Sequence, residues 1–178
     1  MDAQAIIDKL TPLVPGAAFE AASSVDFATL YVPAGQLIAA CQALRDSLNF
    51  EVLVEVTAAD YLPRAPRYEV VYHLLSVSKR LRLRLKVRVA GDGTVPTVQS
   101  VYPGAGWLER EVWDMFGIVF DGHNDLRRLL MPEDWEGHPQ RKDYPVQIQK
   151  AAQTYAPLEV SQEQFQANLE RDRVKRTH

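Results

Sequence analysis

One stretch of the chain alternates between cationic and apolar side chains without interruption. The apolar set is Leu81, Leu83, Leu85, Val87 and Val89, and the cationic set between them is Arg80, Arg82, Arg84, Lys86 and Arg88. Because successive side chains of a β-strand point to opposite faces, this pattern predicts a strand with one buried and one cationic face. A sheet covered on one side only must pack against a second layer, which restricts the fold to a layered architecture.

Shorter apolar patterns predict the rest of the sheet. Strands are expected at about 27–32, 50–57 and 68–77, and in the second of these Phe50, Val52, Val54 and Val56 are predicted to share one face. The linker at 78–80 is short enough for a hairpin, so the strand at 68–77 and the cationic strand should be antiparallel neighbours.

Three segments have helical spacing. Asp2 can cap a first helix that carries Ala3, Ile6, Ile7 and Leu10 on one face. Pro33 opens a second, whose apolar face comprises Leu37, Ile38, Cys41, Leu44 and Leu48. The third runs over about 106–116 and ends at Gly117. Residues 1–120 are therefore predicted to form an α+β domain with a mainly antiparallel sheet and helices on one face.

The character of the sequence changes after residue 120. Periodicity is lost between Asp121 and Pro145 while prolines recur, which predicts an extended C-terminal arm, residues 121–178, that docks on partner subunits. Ser161 and Gln164 form a capping box that predicts one further helix in the tail.

Composition excludes several classes of function. The chain has a single cysteine, Cys41, whereas an iron–sulfur cluster usually needs four cysteine ligands, and its place on an apolar helix face indicates a buried structural thiol. A net charge of −3 argues against nucleic-acid binding by the whole chain. The N-terminus lacks the pattern of a secretory signal, and no apolar run reaches the ~20 residues needed to span a bilayer.

Nucleotide and metal sites receive weak support. Gly104 and Gly106 precede a helix, but Glu109 stands where a dinucleotide loop would have its third glycine. His123 and His138, with Asp121, Asp125 and Asp143 in the same region, could build a mixed metal site, although their spacing matches no metal-binding motif. A free-standing metal-dependent enzyme is therefore an alternative from a different class.

The sequence supports two interpretations of the cationic strand face equally well. Glu51, Glu55 and Glu69 on neighbouring strands could pair with it across the sheet. Alternatively, the face could dock an acidic partner subunit. Binding of RNA is the least favoured interpretation, since no aromatic residue is predicted on this face to stack bases.

A long motif in the last third of the chain carries a family resemblance. It reads LEREVWDMFGI from Leu108, FDGHNDLRRLLMPEDWEGHP from Phe120 and RKDYP from Arg141. This closely resembles the signature of the 30 kDa subunit of respiratory complex I, the bacterial NADH:quinone oxidoreductase. Asn124 stands where the family usually has proline, and Gln140 where it often has leucine. The related subunits of membrane-bound hydrogenases and NDH complexes remain an alternative.

The resemblance implies a structural and assembly role without independent activity. Members bind no FMN and no iron–sulfur cluster themselves, although the complex passes electrons from NADH through both to quinone and couples this to proton translocation. They are peripheral proteins of the hydrophilic arm, on the cytoplasmic side of the bacterial inner membrane. Their chief partner is the 49 kDa protein of the same arm, and they contact the membrane only through the complex.

The motif supplies the candidate docking residues, with catalytic, cofactor and metal ligands expected to be absent. They are Glu109, Arg110, Glu111, Asp114, Phe116, Gly117, His123, Arg127, Arg128, Pro132, Trp135, Arg141, Lys142, Asp143 and Tyr144. The arginines are suited to donate to partner carboxylates, and Trp135 and Tyr144 to anchor an interface. Alanine at Arg127 or Arg141 is expected to weaken assembly while leaving the isolated domain folded.

Overall fold

A computed structural model describes residues 2–145 and Gln166, and its first compact unit spans Met1–Tyr144. The described residues form three α-helices and seven strands. In chain order these are α1 (Ala3–Leu10), β1 (Glu20–Ala22), β2 (Ala28–Tyr31), α2 (Leu37–Asp46), β3 (Val52–Asp60), β4 (Tyr68–Ser76), β5 (Leu81–Val89), β6 (Thr94–Pro96), α3 (Ala105–Phe116) and β7 (Val119–Asp121). A 3-10 turn at Ala34–Gln36 precedes α2. Apart from Gln166, the helix predicted around Ser161 lies outside the described residues.

Five strands form one sheet in the order β1-β2-β5-β4-β3. The predicted β4–β5 hairpin is present and antiparallel, as are the β3–β4 and β1–β2 pairs, whereas β2 and β5 run parallel. A separate parallel pair joins β6 to β7. The α+β class with a mostly antiparallel sheet is thus confirmed.

One face of this sheet and the three helices share a single hydrophobic core. Leu83 and Leu85 of β5, Leu37 and Leu44 of α2, and Ile6 of α1 are all almost fully buried in it. Burial raises the pKa of the Cys41 thiol to about 12, in keeping with the structural role predicted for it.

The predicted apolar face of β3 is wrong in part. Phe50 and Val56 are buried, but Val52 and Val54 are 39% and 55% exposed. The cause is an irregularity in the β3–β4 register between Leu53 and Glu55, because one inserted residue turns the preceding side chains to the other face.

The outer face of the sheet carries the cations of β5. Lys86 pairs with Glu69 at 3.0 Å, and Arg88 with Glu20 at 3.0 Å, so part of the predicted cross-strand compensation is present. Glu51 instead accepts from the β4–β5 turn. The expectation that this face lacks aromatic residues is wrong, since Phe27 and Tyr31 lie against its cations.

Within the described residues, the helices are too short and too polar to cross a lipid bilayer.

Candidate assembly site

Helix α3 presents the polar residues of the family motif toward the segment that follows it. Glu109, Arg110 and Asp114 are charged yet buried, and the apolar Val112, Met115 and Phe116 join the core. The helix ends at Gly117, whose φ of 72° provides the left-handed C-cap predicted from the sequence. Charged side chains buried in this way need partners. The segment after β7 supplies them for Arg110 and Asp114, and the loop after β6 supplies them for Glu109.

Asp114 organises the first part of that segment. Its Oδ2 atom accepts hydrogen bonds from three consecutive backbone N–H groups, those of Leu129, Leu130 and Met131, at 2.9, 2.7 and 2.9 Å. Its Oδ1 atom lies 2.8 Å from Nη1 of Arg128. Burial raises the pKa of the Asp114 carboxyl, but the Arg128 guanidinium and the three N–H donors outweigh it, and the net pKa is lowered. The carboxylate is therefore ionised at neutral pH and fully partnered.

Arg128 and Arg110 also bind backbone carbonyl groups of this segment, residues 127–135. Arg128 also donates to the carbonyl of Trp135 at 2.6 Å, and its guanidinium lies 5.7 Å from the Trp113 ring. Arg110 donates from α3 to the carbonyls of Arg127 and Arg128 at 2.7 and 2.5 Å. Side chains predicted to face a partner are thus engaged within the chain, and they fix the path of residues 127–135 in place of regular secondary structure.

Glu109 faces the opposite side of α3, where it holds the loop after β6. It accepts from the Thr97 hydroxyl at 2.5 Å and from the Val98 N–H at 2.8 Å. Burial raises the pKa of this carboxyl, and the two hydrogen bonds offset that effect only in part. No cation lies within salt-bridge distance of it among residues 2–145, so its ionised form is poorly supported.

The end of α3 is closed by residues from further along the chain. Arg141 donates to the carbonyl of Phe116 and His138 contacts that of Asp114 at 3.0 Å. Both side chains pack directly on Gly117, where an added Cβ would overlap the Arg141 guanidinium and the His138 ring. Glycine is required at this position both for its backbone conformation and for the space.

A second ion network anchors Lys142 and Asp143 to the sheet. Arg67, the last residue of the β3–β4 loop, bonds Asp60 at 2.7 Å and Asp143 at 2.7 Å, while the N–H of Lys142 donates to Asp60. The Arg67 guanidinium, with the N–H groups of Lys142 and Leu62, holds the pKa of Asp60 far below its ordinary value. Sequence reasoning placed Asp143 in the site but missed Asp60 and Arg67, and no local signal marks either of them.

The two histidines weighed as metal ligands bind separate backbone carbonyls. His123 Nε2 lies 2.9 Å from the Gly106 carbonyl, and its Nδ1 accepts from the N–H of Asp125, which makes Nε2 the protonated nitrogen. His138 contacts the Asp114 carbonyl near the end of α3. In the part of the chain that the structure describes, no three potential metal-ligating side chains come together.

Other motif residues remain available on the surface. Arg127 is 66% exposed and pairs with Asp125 at 2.8 Å. Trp107, which directly precedes the motif, and Leu130 within it are 64% and 60% exposed. Glu111, Pro132 and Lys142 are also exposed, whereas Trp135 is half-buried and Tyr144 donates to the Glu136 carbonyl. The face around Arg110, whose guanidinium lies 5.4 Å from the Trp107 ring, also has a groove of about 280 Å³ lined in part by Gln99 and His123.

Comparison with known proteins finds one family. Residues 30–150 match the family described as the 30 kDa subunit of respiratory-chain NADH dehydrogenase. A subunit of the NADH-quinone oxidoreductase of Saccharopolyspora erythraea is 52% identical over 122 residues, covering 66% of this chain and 49% of that protein. The chain therefore spans about half the length of this relative. The corresponding subunit of Roseiflexus sp. is 42% identical over 158 residues, covering 87% of this chain and 91% of that one.

A solved structure shares the fold. One chain of the membrane-bound sulfane sulfur reductase, an archaeal respiratory membrane complex, superposes with a TM-score of 0.68 at 28% sequence identity. The match covers 80% of this chain and 85% of that chain.

Proposed function

Because the chain belongs to the family of the 30 kDa subunit of respiratory-chain NADH dehydrogenase, we propose that it is a cofactor-free assembly subunit of NADH:quinone oxidoreductase. The complex would pass electrons from NADH through FMN and iron–sulfur clusters to quinone and translocate protons. This chain would contribute shape and binding surface to its hydrophilic arm, without an activity of its own.

The observation that carries this proposal is how the motif uses its charges. Asp114, Arg110 and Arg128 direct most of their hydrogen bonds to backbone groups of residues 127–135 and to one another, and of the three only Arg110 also lines the neighbouring groove. Such an arrangement gives an irregular segment a fixed shape, which lowers the entropy lost when it docks. This use of charge supports a rigid interface element, because Asp114 and Arg128 face backbone groups and each other instead of a site for substrate.

The exposed residues beside this scaffold have the chemistry of interface anchors. Trp107 and Leu130 offer apolar area, and Arg127 offers a guanidinium held beside Asp125. Tryptophan and arginine are enriched among residues that dominate protein–protein binding. We assign the main contact made here to the 49 kDa protein, with other hydrophilic-arm subunits as further neighbours. The chain would then reside at the cytoplasmic side of the bacterial inner membrane, held there through the complex.

Co-purification tests this proposal. A tagged full-length chain is recovered from gently solubilised native membranes, and the accompanying proteins, flavin and iron are measured together with NADH:quinone activity. The proposal predicts co-elution of flavin- and cluster-bearing subunits with that activity. Recovery of the chain alone, with no flavin or iron above background, would contradict it.

A second candidate function follows from the structural match to the archaeal complex. A chain of this fold could serve a related membrane complex that uses another electron donor or acceptor. The same purified material distinguishes the two, since the second candidate predicts co-purifying cluster proteins with no NADH oxidation.

A further inference from the structure

The outer face of the sheet, remote in chain position from the family motif, carries a second cluster of interface chemistry. It comprises Phe27, His73, Leu75, Arg82 and Arg84, hereafter the Phe27 patch. The β4–β5 register sets His73 directly beside Arg84 and Leu75 directly beside Arg82, so all four side chains share this face. The His73 ring meets the Phe27 ring edge-on at 6.5 Å.

Neither arginine of the patch forms a salt bridge within residues 2–145. Farther along β5, Lys86 and Arg88 each have a carboxylate partner. For Arg82 and Arg84, no carboxylate of residues 2–145 lies within 4.0 Å. Both guanidiniums instead lie 5.5 Å from the centroid of the same Phe27 ring, and Arg84 has a long contact of 3.4 Å to the Ser24 hydroxyl. Two guanidinium groups thus lie near one ring, and they retain N–H donors that a partner could bind.

An apolar groove opens beside these two cations. Its volume is about 330 Å³, and Phe27, Val54 and Leu75 contribute to its lining. The irregularity in β3 that exposes Val54 is what brings this aliphatic side chain to the outer face. The groove therefore offers apolar walls and a cationic rim in one place.

We infer that the Phe27 patch docks a partner segment in which a carboxylate stands next to an apolar side chain. The carboxylate pairs with Arg82 and Arg84, and the apolar side chain enters the groove against Val54 and Leu75. The inference rests on the proposed function, since the partner is another member of the complex. It adds an interface separate from the motif and states the chemistry of its occupant.

The charges on this face favour an acidic protein segment over a polyanion. Glu55 lines the same groove, and Glu69 and Glu20 lie farther along the face, so a continuous phosphate backbone or an anionic lipid surface would meet carboxylates. A single carboxylate that pairs with Arg82 and Arg84 meets fewer of them. Both guanidiniums already lie beside the Phe27 ring, which reduces the entropy cost of pairing.

A zero-length cross-link tests the inference in the assembled complex. Arg84→Lys places a primary amine in the patch at unchanged charge, and a carbodiimide then couples it to a carboxylate in direct contact. Arg80→Lys is the matched control, because Arg80 precedes the same strand and is exposed outside the patch. We expect a cross-link from position 84 to an aspartate or glutamate of another subunit, beside an apolar residue, at a yield on the order of tenfold above that from position 80.

Arginine modification supplies the second readout. Phenylglyoxal should modify Arg82 in the isolated full-length chain, and assembly into the complex should protect it. If the chain enters the complex while Arg82 stays equally reactive and position 84 forms no inter-subunit cross-link, the inference is overturned and the proposed function stands. Protection that disappears on nuclease treatment or delipidation would also overturn it, in favour of RNA or lipid. If the chain does not enter the complex, both proposals fail.

Discussion

Arg128 and Asp114 are joined by a buried ion pair, with Nη1 of the arginine 2.8 Å from Oδ1 of the aspartate. The second oxygen of the same carboxylate binds the N–H groups of Leu129, Leu130 and Met131. One side chain of α3 thereby satisfies four donors of a segment that has no regular secondary structure of its own. The shape of that segment consequently depends on the negative charge of the Asp114 carboxylate, which α3 carries.

Replacement of Asp114 by asparagine should strongly destabilise the chain. The amide keeps the size, but it loses the charge and turns an N–H₂ group toward either Arg128 or the backbone donors. We expect the free energy of unfolding to fall by about 3 kcal/mol in urea denaturation, as for other buried pairs that lose one partner. Asp121→Asn, at an exposed position, is the control and should change stability by less than ~0.5 kcal/mol.

Asp60 and Asp114 should make the stability of the protein fall in acid. The pKa values of Asp60 and Asp114 are lowered by their partners, so their contribution to stability is complete above the unfolded-state pKa and is lost as pH falls through the folded-state value. Wild-type protein should therefore lose stability in acid below about pH 4. Chemical denaturation across pH 3–8 measures this, and a flat profile would contradict the assignment.

Glu109 should behave in the opposite sense because burial raises its pKa. Its contribution to stability is present below the unfolded-state pKa and is lost as pH rises through the folded-state value. Glu109→Gln removes the ionisation while keeping acceptor and donor for Val98 and Thr97. We expect the variant to be more stable than wild type at pH 8 and to lose that advantage toward pH 4. Glu111→Gln on the exposed face should show no such trend.

Gly117→Ala should loosen the closure at the end of α3. The residue has φ of 72° and no room for a Cβ beside Arg141 and His138, so we expect a loss of more than ~1 kcal/mol. Hydrogen exchange should accelerate in residues 138–144. Gly104→Ala is matched, since Gly104 has φ of −67° and open space around it, and it should be nearly neutral.

Arg127 and Arg141, for which the sequence predicts the same behaviour, should differ in their contribution to stability. Arg127 is exposed, so Arg127→Ala should leave stability within ~0.5 kcal/mol of wild type while reducing recovery of the complex. Arg141 donates to the end of α3, so Arg141→Ala should cost about 1–2 kcal/mol in the isolated chain. Urea titration paired with co-purification measures both quantities, and equal destabilisation by the two substitutions would refute the distinction.

Local patterns were sufficient for most of the fold. Alternation located β5, a shorter apolar pattern located β4, helical spacing with Gly117 located α3, and Asp2 caps α1 as expected. The exposed Val54 was missed because an irregular register depends on the partner strand, which periodicity within one strand does not reveal. Phe27 was not expected on the cationic face since its position follows from the parallel β2–β5 pairing, a contact between distant segments.

The site was predictable as a set of residues but not as a set of contacts. The resemblance selected Asp114, Arg110 and Arg128, whereas their partners are backbone groups of an aperiodic segment that leave no mark on the sequence. Arg67 meets Asp143 only through folding, across 76 positions, and Asp60 reaches the Lys142 N–H in the same way. The docking roles of these residues, and the division of the chain after residue 120, stay predictions.

The most direct test of a purely structural role compares turnover with the amount of complex. Variants at exposed positions in or beside the motif, such as Arg127→Ala and Trp107→Ala, are expressed in place of the wild-type chain. NADH:quinone activity is then divided by the flavin content of the purified complex. An assembly role predicts less complex with unchanged activity per flavin. Full assembly with activity per flavin reduced tenfold or more would contradict it and place these residues in the chemistry.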